Sequence, residues 1–175
     1  MKIKTTPSVI IRISIWFIMI FGGLALSIHN DLKNSESLFF SIPFHLLTLP
    51  IGIYLMKLAF HAAAVGGREL KRKGREGEIP RLETNRLVTS GIYSCTRHPM
   101  LFGLSLVPIA FALIVGSPTF ITVIAPLETI FIIFMVLTLE EAECKKKFSK
   151  AYLEYKKKTP IFPKTKECFK KLFFK

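Results

Sequence analysis

The stretch MLFGLSLVPIAFALIVGSPTFITVIAPLETIFIIFMVLTL, residues 100–139, decides the fold. It contains two apolar runs, Met100–Val115 and Thr119–Leu139, separated only by Gly116-Ser117-Pro118. A helix needs about 20 apolar residues to cross a hydrocarbon layer of roughly 30 Å. Three residues between two such runs are too few to do anything but reverse the chain. The stretch therefore predicts a helical hairpin in a membrane, whose first and last residues meet at the same membrane face.

Two further apolar runs precede the hairpin, Ser8–Ile28 and Leu38–Val65. The first has Arg12 as its only charge and follows the basic sequence MKIK, as a signal peptide would. Because it exceeds the usual signal-peptide core of about 7–15 residues, we expect a retained spanning helix. The second contains Pro43 and Pro50, which predict a bent or broken helix. The chain is thus expected to be an all-α integral membrane protein with about four transmembrane helices.

The basic residues predict how these helices are oriented. The formal net charge is +13, and the lysines and arginines are concentrated between the second and third apolar runs and after Leu139, where 12 lysines follow. The hairpin tip has none, and the loop between the first two runs has only Lys33. Since basic loops remain in the cytoplasm, we expect both termini and the loop before the hairpin to be cytoplasmic. Four apolar runs argue against nucleic-acid binding, and anionic lipid headgroups account for the same charge.

The chain is expected to form a single domain of four consecutive parts. These are N-terminal transmembrane helices (1–65), a cytoplasmic loop (66–98), the hairpin (99–139) and a cytoplasmic tail (140–175). In the tail, Phe148, Tyr152 and Tyr155 recur at helical spacing and predict an amphipathic helix that continues the last span. The three cysteines show no CxxC spacing and all map to the cytoplasmic side, so we expect reduced thiols. No metal-ligand spacing occurs in the sequence.

The two roots of the hairpin carry the residues that could perform chemistry. Pro99 is suited to the first turn of a helix, whose free amides could hold a small anion beside Arg97 and His98. In the alternative reading, Arg97 anchors the helix among headgroups and His98 caps it. The hairpin brings Glu140 and Glu141 to the same face, where they could also form a solvated acidic collar.

An ordered set of motifs now points to a family. The motifs are, in order, LVTSGIY (87–93), RHPM (97–100) with a glycine four residues after the proline, the hairpin, the Glu-Glu pair, F-x-x-x-Y-x-x-Y and Pro-x-x-Pro. Together they resemble the isoprenylcysteine carboxyl methyltransferase family. That family is related to membrane phospholipid methyltransferases, and the similarity covers residues 66–163. The resemblance implies an integral membrane enzyme that takes a methyl group from S-adenosyl-L-methionine on the cytoplasmic side. It also implies a lipid-like acceptor that enters from the bilayer.

The resemblance also assigns roles to individual residues. Leu101 stands where the family commonly has tyrosine, and Leu137 where the eukaryotic prenylcysteine enzymes place a substrate-orienting arginine. Arg97 and Glu140 are the candidates for a catalytic role. The expected cofactor-binding residues are Asn85, Arg86, Leu87, Val88, Tyr93, His98, Pro99, Met100, Leu101 and Glu141.

Elementary chemistry agrees with this assignment. Methyl transfer from a sulfonium is an in-line displacement that requires alignment, desolvation and an unprotonated nucleophile rather than a metal. We therefore expect the cytoplasmic loop and the amphipathic tail to close over a cofactor pocket. The expected reaction is carboxyl O-methylation of an isoprenylcysteine-like lipid. The alternatives are phospholipid N-methylation, thiol S-methylation, or a non-catalytic membrane protein that binds lipid or serves in assembly.

Overall fold

The computed structural model describes residues 5–79 and 83–174, with side chains from residue 14 onward. All regular elements in these ranges are helices. The α-helices are α1 (Thr5–Asn34), α2 (Glu36–Phe39), α3 (Ile42–Lys73), α4 (Pro99–Ser105), α5 (Val107–Val115), α6 (Ala125–Met135), α7 (Glu141–Lys158) and α8 (Lys166–Phe173). A 3₁₀ turn lies at Gly91–Ser94, and π-helical segments lie at Phe120–Ile124 and Val136–Glu140.

Within the described residues, three helical stretches are long and apolar enough to cross a membrane. They are Ser14–Asn34, Ile42–Lys73 and Phe120–Lys158. A shorter apolar helix, Pro99–Val115, completes the set; its 17 residues extend about 26 Å at the usual rise of a helix. The expectation of an all-α membrane protein is confirmed.

The helices form two compact units, one of which contains the described residues up to Leu55 together with Pro108–Ile130. In this unit the chain reverses at Gly116, whose φ of +69° suits a residue without a side chain. The buried carboxylate of Asp31 accepts hydrogen bonds from the Ser117 hydroxyl and, at 2.9 Å, from the backbone N–H of Thr119. The tip of the predicted hairpin is therefore tied to the end of α1.

The second unit contains Met56–Val107 and residues 131–174. Here α3 and α4 approach each other so closely that a Cβ on Gly103 would lie 2.6 Å from the Ala59 carbonyl oxygen. A Cβ on Gly66 would lie 2.7 Å from the Met100 nitrogen. Small residues allow such close backbone contact between membrane helices. This packing fixes the position of the chain segment just before α4.

The second apolar run differs in detail from the prediction. The break lies at Phe40 and Ser41, just before Pro43, which occupies the first turn of α3. From there α3 is continuous through Pro50 to Lys73. Membrane helices tolerate an internal proline when neighbouring groups satisfy the freed carbonyl. The loop expected from Gly66 therefore begins only at Gly74, because Gly66 and Gly67 are helical.

The prediction of three reduced thiols is wrong for two of them. Cys95 and Cys168 form a disulfide, with Cα atoms 5.5 Å apart and a sequence separation of 73, whereas Cys144 is free. The bond exists because the tail folds back and packs α8 beside the 3₁₀ turn. In the resulting apolar cluster, Leu172 is completely buried against residues that include Val88 and Tyr93.

Candidate functional site

Arg97, His98 and Pro99 form the start of the hairpin, called the RHP root below. The chain segment that precedes them holds this root in place. Gly91, at φ +65°, allows a 3₁₀ turn that buries Ile92 and Tyr93. The chain then leads directly to Arg97 and to His98, which is the N-cap residue of α4 and is only 9% exposed. Both side chains are thus fixed at the start of the hairpin rather than extended into solvent.

The acidic root lies against this segment. Glu141, the first residue of α7, is 4% exposed. Its Oε1 atom accepts hydrogen bonds from Arg97 Nε at 3.0 Å and Arg97 Nη2 at 2.5 Å, and its Oε2 atom pairs with the Lys156 ammonium. Burial alone would raise the pKa of this carboxyl group, but the hydrogen bonds and charges of Lys156 and Arg97 outweigh burial and lower it. Glu141 is therefore a buried, ionised carboxylate.

Lys156 reaches Glu141 because α7 is sharply bent. Ser149 has φ 49° and ψ −125°, a non-helical conformation inside this element. In a straight helix, residues 141 and 156 would be about 22 Å apart. The amphipathic helix expected in the tail is present, but it folds back on itself, so that both of its ends lie at Arg97. The guanidinium also donates from Nη1 to the Thr159 carbonyl oxygen at 2.7 Å.

A short strap formed by residues 159–162 follows α7 and runs along the RHP root. The backbone N–H of Arg97 donates to the Pro160 carbonyl at 3.1 Å. The Thr96 hydroxyl donates to the Ile161 carbonyl at 2.5 Å. These two bonds, together with the Arg97 side chain, attach the tail to the start of α4.

His98 is held in its neutral form by this environment. Its Nε2 atom lies 3.8 Å from Oε1 of Glu141 and 3.4 Å from the hydroxyl of Tyr152. Burial lowers the pKa of His98 to about 4; the Glu141 carboxylate opposes this effect, and the Arg97 charge adds to it. At neutral pH the imidazole is therefore uncharged, so one ring nitrogen donates a hydrogen bond and the other accepts one.

Three buried tyrosines support the cluster. The Tyr155 hydroxyl donates to the Tyr93 carbonyl at 2.5 Å, and the Tyr93 hydroxyl lies 3.5 Å from the Gly66 carbonyl. Burial raises the pKa of Tyr93, Tyr152 and Tyr155 far above the ordinary value, so all three phenols are neutral donors. The tyrosines link α7, the 3₁₀ turn and α3 around the two roots.

An apolar cleft opens beside His98. Its empty volume is about 260 Å³, including the part that is open to solvent. The polar groups at the cleft are the imidazole of His98 and the hydroxyl of Ser105, and the remaining walls are hydrocarbon or aromatic. The lining residues are His98, Leu101, Phe102, Ser105, Ile133, Val136, Ile161 and Phe162. The site therefore combines a buried ionic cluster with an adjoining apolar cleft.

Of the ten predicted cofactor-binding residues, the structure places five at the two roots of the hairpin and two in the neighbouring apolar cluster. His98, Pro99, Met100 and Leu101 are consecutive at the start of α4 with Glu141 against them, and Val88 and Tyr93 pack in the neighbouring apolar cluster. The others lie further out. Leu87 is half-buried, Asn85 and Arg86 are exposed, and the Asn85 side-chain amide is bound to the backbone of Glu76 at 2.7 and 2.8 Å.

Two other predicted positions lie away from the cleft walls. Leu137 is 46% exposed, whereas its neighbour Val136 lines the cleft. Glu140 is half-buried at the end of the π-helical segment, and its neighbour Glu141 pairs with Arg97. Arg97, a catalytic candidate, is bonded on all sides to protein groups. Its catalytic role stays a prediction.

Sequence reasoning missed several members of the site. Lys156 stands in a run of three lysines and reaches Glu141 only because of the bend at Ser149, for which the sequence has no signal. Ile161 and Phe162 reach the cleft through the strap. Tyr152 could have been found, because it belongs to the aromatic stripe of the tail.

Comparisons with known proteins agree with this picture. The fold and site are those of an α-helical membrane protein with a buried ionic cluster at the roots of a hairpin. Residues 47–151 match the family model described as phospholipid methyltransferase. The chain belongs to that family and is a membrane methyltransferase. None of the curated proteins and none of the solved structures matches the chain.

Proposed function

We propose that the chain transfers the methyl group of S-adenosyl-L-methionine to a lipid-like acceptor, with the cluster around Glu141 as the cofactor site. The observation that carries this proposal is the buried pair of Arg97 and Glu141 beside an apolar cleft. A buried ion pair is costly and is weak evidence for stability alone. In a member of a methyltransferase family, recognition of a charged cofactor is the simplest reason for such a buried pair.

The charged and polar side chains of the site fit the chemical groups of this cofactor. S-adenosyl-L-methionine has a carboxylate, an ammonium, a cationic sulfur and a largely apolar adenosine, and it supplies an activated methyl group. The site offers an ionised carboxylate, two cationic side chains and a neutral imidazole next to hydrocarbon. Glu141, His98, Met100 and Leu101 would hold the cofactor, with Tyr93 nearby as a source of aromatic contact.

The protein residues would bind, orient and exclude water. Glu141 is ionised and can accept hydrogen bonds from an ammonium group or from hydroxyls. Arg97 keeps that carboxylate in place and also fixes both ends of α7. The strap, whose Ile161 and Phe162 line the cleft, would shield the reacting atoms from water, which alkyl transfer between aligned partners requires.

The protonation states favour a carboxylate as the methyl acceptor. An ionised carboxylate needs no base before it attacks, whereas a protonated amine must first lose a proton. With its pKa lowered to about 4, His98 is a weak base, and Glu141 is already paired with two cations. The proposed reaction is therefore carboxyl O-methylation of an isoprenylcysteine-like lipid.

The second candidate is phospholipid N-methylation, which the family match favours. It would use the same cofactor site and the same apolar cleft. The concentration of lysines in the tail and of basic residues in the loop supports a cytoplasmic position for this site in either case.

The proposal is tested first by binding. Calorimetric titration of detergent-solubilised protein with S-adenosyl-L-methionine, and with its demethylated product, should show saturable binding of both. Folded protein that binds neither would leave the non-catalytic alternative. His98→Ala and Glu141→Gln should weaken binding, whereas Glu154→Gln, at an exposed position of the same helix, should not.

The acceptor is tested by product chemistry. Membrane lipid extracts are incubated with the protein and labelled S-adenosyl-L-methionine, and the labelled products are treated with base. A methyl ester releases labelled methanol in base, whereas a methylated amine or thioether retains the label. Base-stable label in phospholipid would establish the second candidate instead of the first.

A further inference from the structure

The disulfide between Cys95 and Cys168 is placed where it can control the site. Cys95 is buried two residues before Arg97, and Cys168 is half-buried on α8. The bond joins cysteines with a sequence separation of 73, and the loop that it closes contains the hairpin, α7 and the strap. We propose that this bond forms and breaks reversibly with the redox state of the protein. When it is formed, it acts as a covalent staple that holds α8 against the residues that precede the RHP root.

The geometry of α8 supports a staple rather than an incidental bond. Leu172 is completely buried, and Phe173 packs on the same cluster as Val88 and Tyr93. Phe173 also approaches the cleft residue Phe102, at 6.2 Å between ring centroids. An eight-residue helix is too short to be stable alone. Its order therefore depends on this packing and on the covalent link.

In the proposed cytoplasmic position, the bond would be open to reduction by thiols. The charge distribution supports a cytoplasmic position for both cysteines. Cytoplasmic thiols are kept reduced, and the disulfides found there are usually transient, catalytic or redox-sensing. A bond that links the tail to the candidate cofactor site in that compartment is suited to sensing the thiol pool.

The chemistry is a thiol–disulfide exchange with a low-molecular-weight thiol. Its thiolate attacks the half-buried Cys168 sulfur, forms a mixed disulfide and releases Cys95 as a thiolate, which takes up a proton. A second molecule of the small thiol attacks the mixed disulfide and releases Cys168. The protein disulfide gains two electrons, and the two small thiols become one small disulfide. Oxidation by a small disulfide is the reverse.

Opening the bond should loosen α8 and the adjoining segment. The staple limits the conformations open to the chain between two cysteines that are 73 positions apart. Without it, α8 is retained by its apolar contacts and by its N-cap, in which the Thr165 hydroxyl accepts from the Cys168 N–H at 3.3 Å. This inference rests on the proposed function in two respects, namely that residues 88–101 bind the cofactor and that the site lies in the cytoplasm.

Labelling tests the bond itself. In a Cys144→Ser background, protein is denatured with maleimide before or after reduction, and its intact mass is measured. The expected result is no label before reduction and two labels after it. Two labels without prior reduction, in protein purified under air, would overturn the proposal.

Hydrogen exchange and calorimetry then test the consequence. On reduction, exchange in residues 166–173 and 88–95 should accelerate, and the affinity for S-adenosyl-L-methionine should fall about tenfold, within the usual range of coupling between sites. Cys168→Ser should bind like the reduced protein and ignore reductant, whereas Cys144→Ser should behave like the wild type. Unchanged exchange or unchanged affinity on reduction would overturn the switch. If neither redox state binds the cofactor, the proposed function fails, and exchange still decides whether the staple holds α8.

Discussion

Arg97 donates two hydrogen bonds to one carboxylate oxygen of Glu141, at 3.0 and 2.5 Å, across 44 residues of sequence. The whole predicted hairpin lies between these two residues. Their contact requires that the chain entering the hairpin and the chain leaving it lie on the same side. An ionic cluster at this position is what the Gly116-Ser117-Pro118 reversal predicts.

Glu141→Gln should weaken both the cluster and the cofactor site. The amide is nearly isosteric, but it leaves the buried Arg97 and the partly exposed Lys156 without their anion. We expect a loss of about 2 kcal/mol in unfolding free energy and a loss of about tenfold or more in affinity for S-adenosyl-L-methionine. Thermal unfolding in detergent and calorimetry measure the two effects. Glu154→Gln should change neither, and equal effects of both variants would show that Glu141 has no special role.

The sequence predicts the hairpin and its paired roots because both depend on local signals, namely two apolar runs and a three-residue turn. It does not predict how the tail closes. The bend at Ser149 carries no glycine or proline, yet it determines that Lys156 and the strap reach Arg97. The pairing of Cys95 with Cys168 likewise depends on that closure. Long-range contacts made by a folded-back tail have no periodic signature.

Lys156→Gln should raise the affinity for S-adenosyl-L-methionine. The Lys156 ammonium occupies one oxygen of Glu141, and an ammonium group of the cofactor would compete for the same carboxylate. With a side chain 47% exposed, Lys156 can be displaced at modest cost. Removing it should tighten binding a few-fold, on the order of 1 kcal/mol. Lys157→Gln, at the exposed neighbouring position, is the matched control. Weaker binding by the Lys156 variant alone would show that this lysine supports the cofactor instead.

His98 should make stability depend on pH. Because its folded pKa of about 4 lies below the unfolded value near 6.5, the unfolded chain binds more protons between these limits. Stability therefore falls as pH falls from about 6.5 toward 4, by on the order of 2 kcal/mol, and this contribution is fully present above pH 6.5. Unfolding temperatures at pH 7 and pH 5 measure most of the effect before Glu141 is protonated. His98→Gln should reduce the difference between the two temperatures, whereas His29→Gln, at an exposed position, should preserve it.

Adjacent glycines in α3 should respond differently to alanine. A Cβ on Gly66 would lie 2.7 Å from the backbone nitrogen of Met100, whereas one on Gly67 would lie 3.8 Å from the flexible Met100 sulfur. Gly66→Ala must push α3 away from the start of α4, and we expect a loss of about 1–3 kcal/mol with weaker cofactor binding. Gly67→Ala should be neutral or stabilising, because alanine is the better helix former by about 1 kcal/mol. Similar unfolding temperatures for the two variants would contradict the close helix crossing.

Ser149→Gly should stabilise the protein or leave it unchanged, although glycine is normally unfavourable within a helix. Ser149 has φ 49° and ψ −125°, a conformation that is strained for a residue with a side chain and open to glycine. The relief should be about 1 kcal/mol. Lys150→Gly, one position further and in helical conformation, should instead cost about 1 kcal/mol. Chemical unfolding of the two variants therefore separates a bent α7 from a straight one. If both substitutions destabilise equally, Ser149 is helical, and Lys156 lies too far along the tail to pair with Glu141.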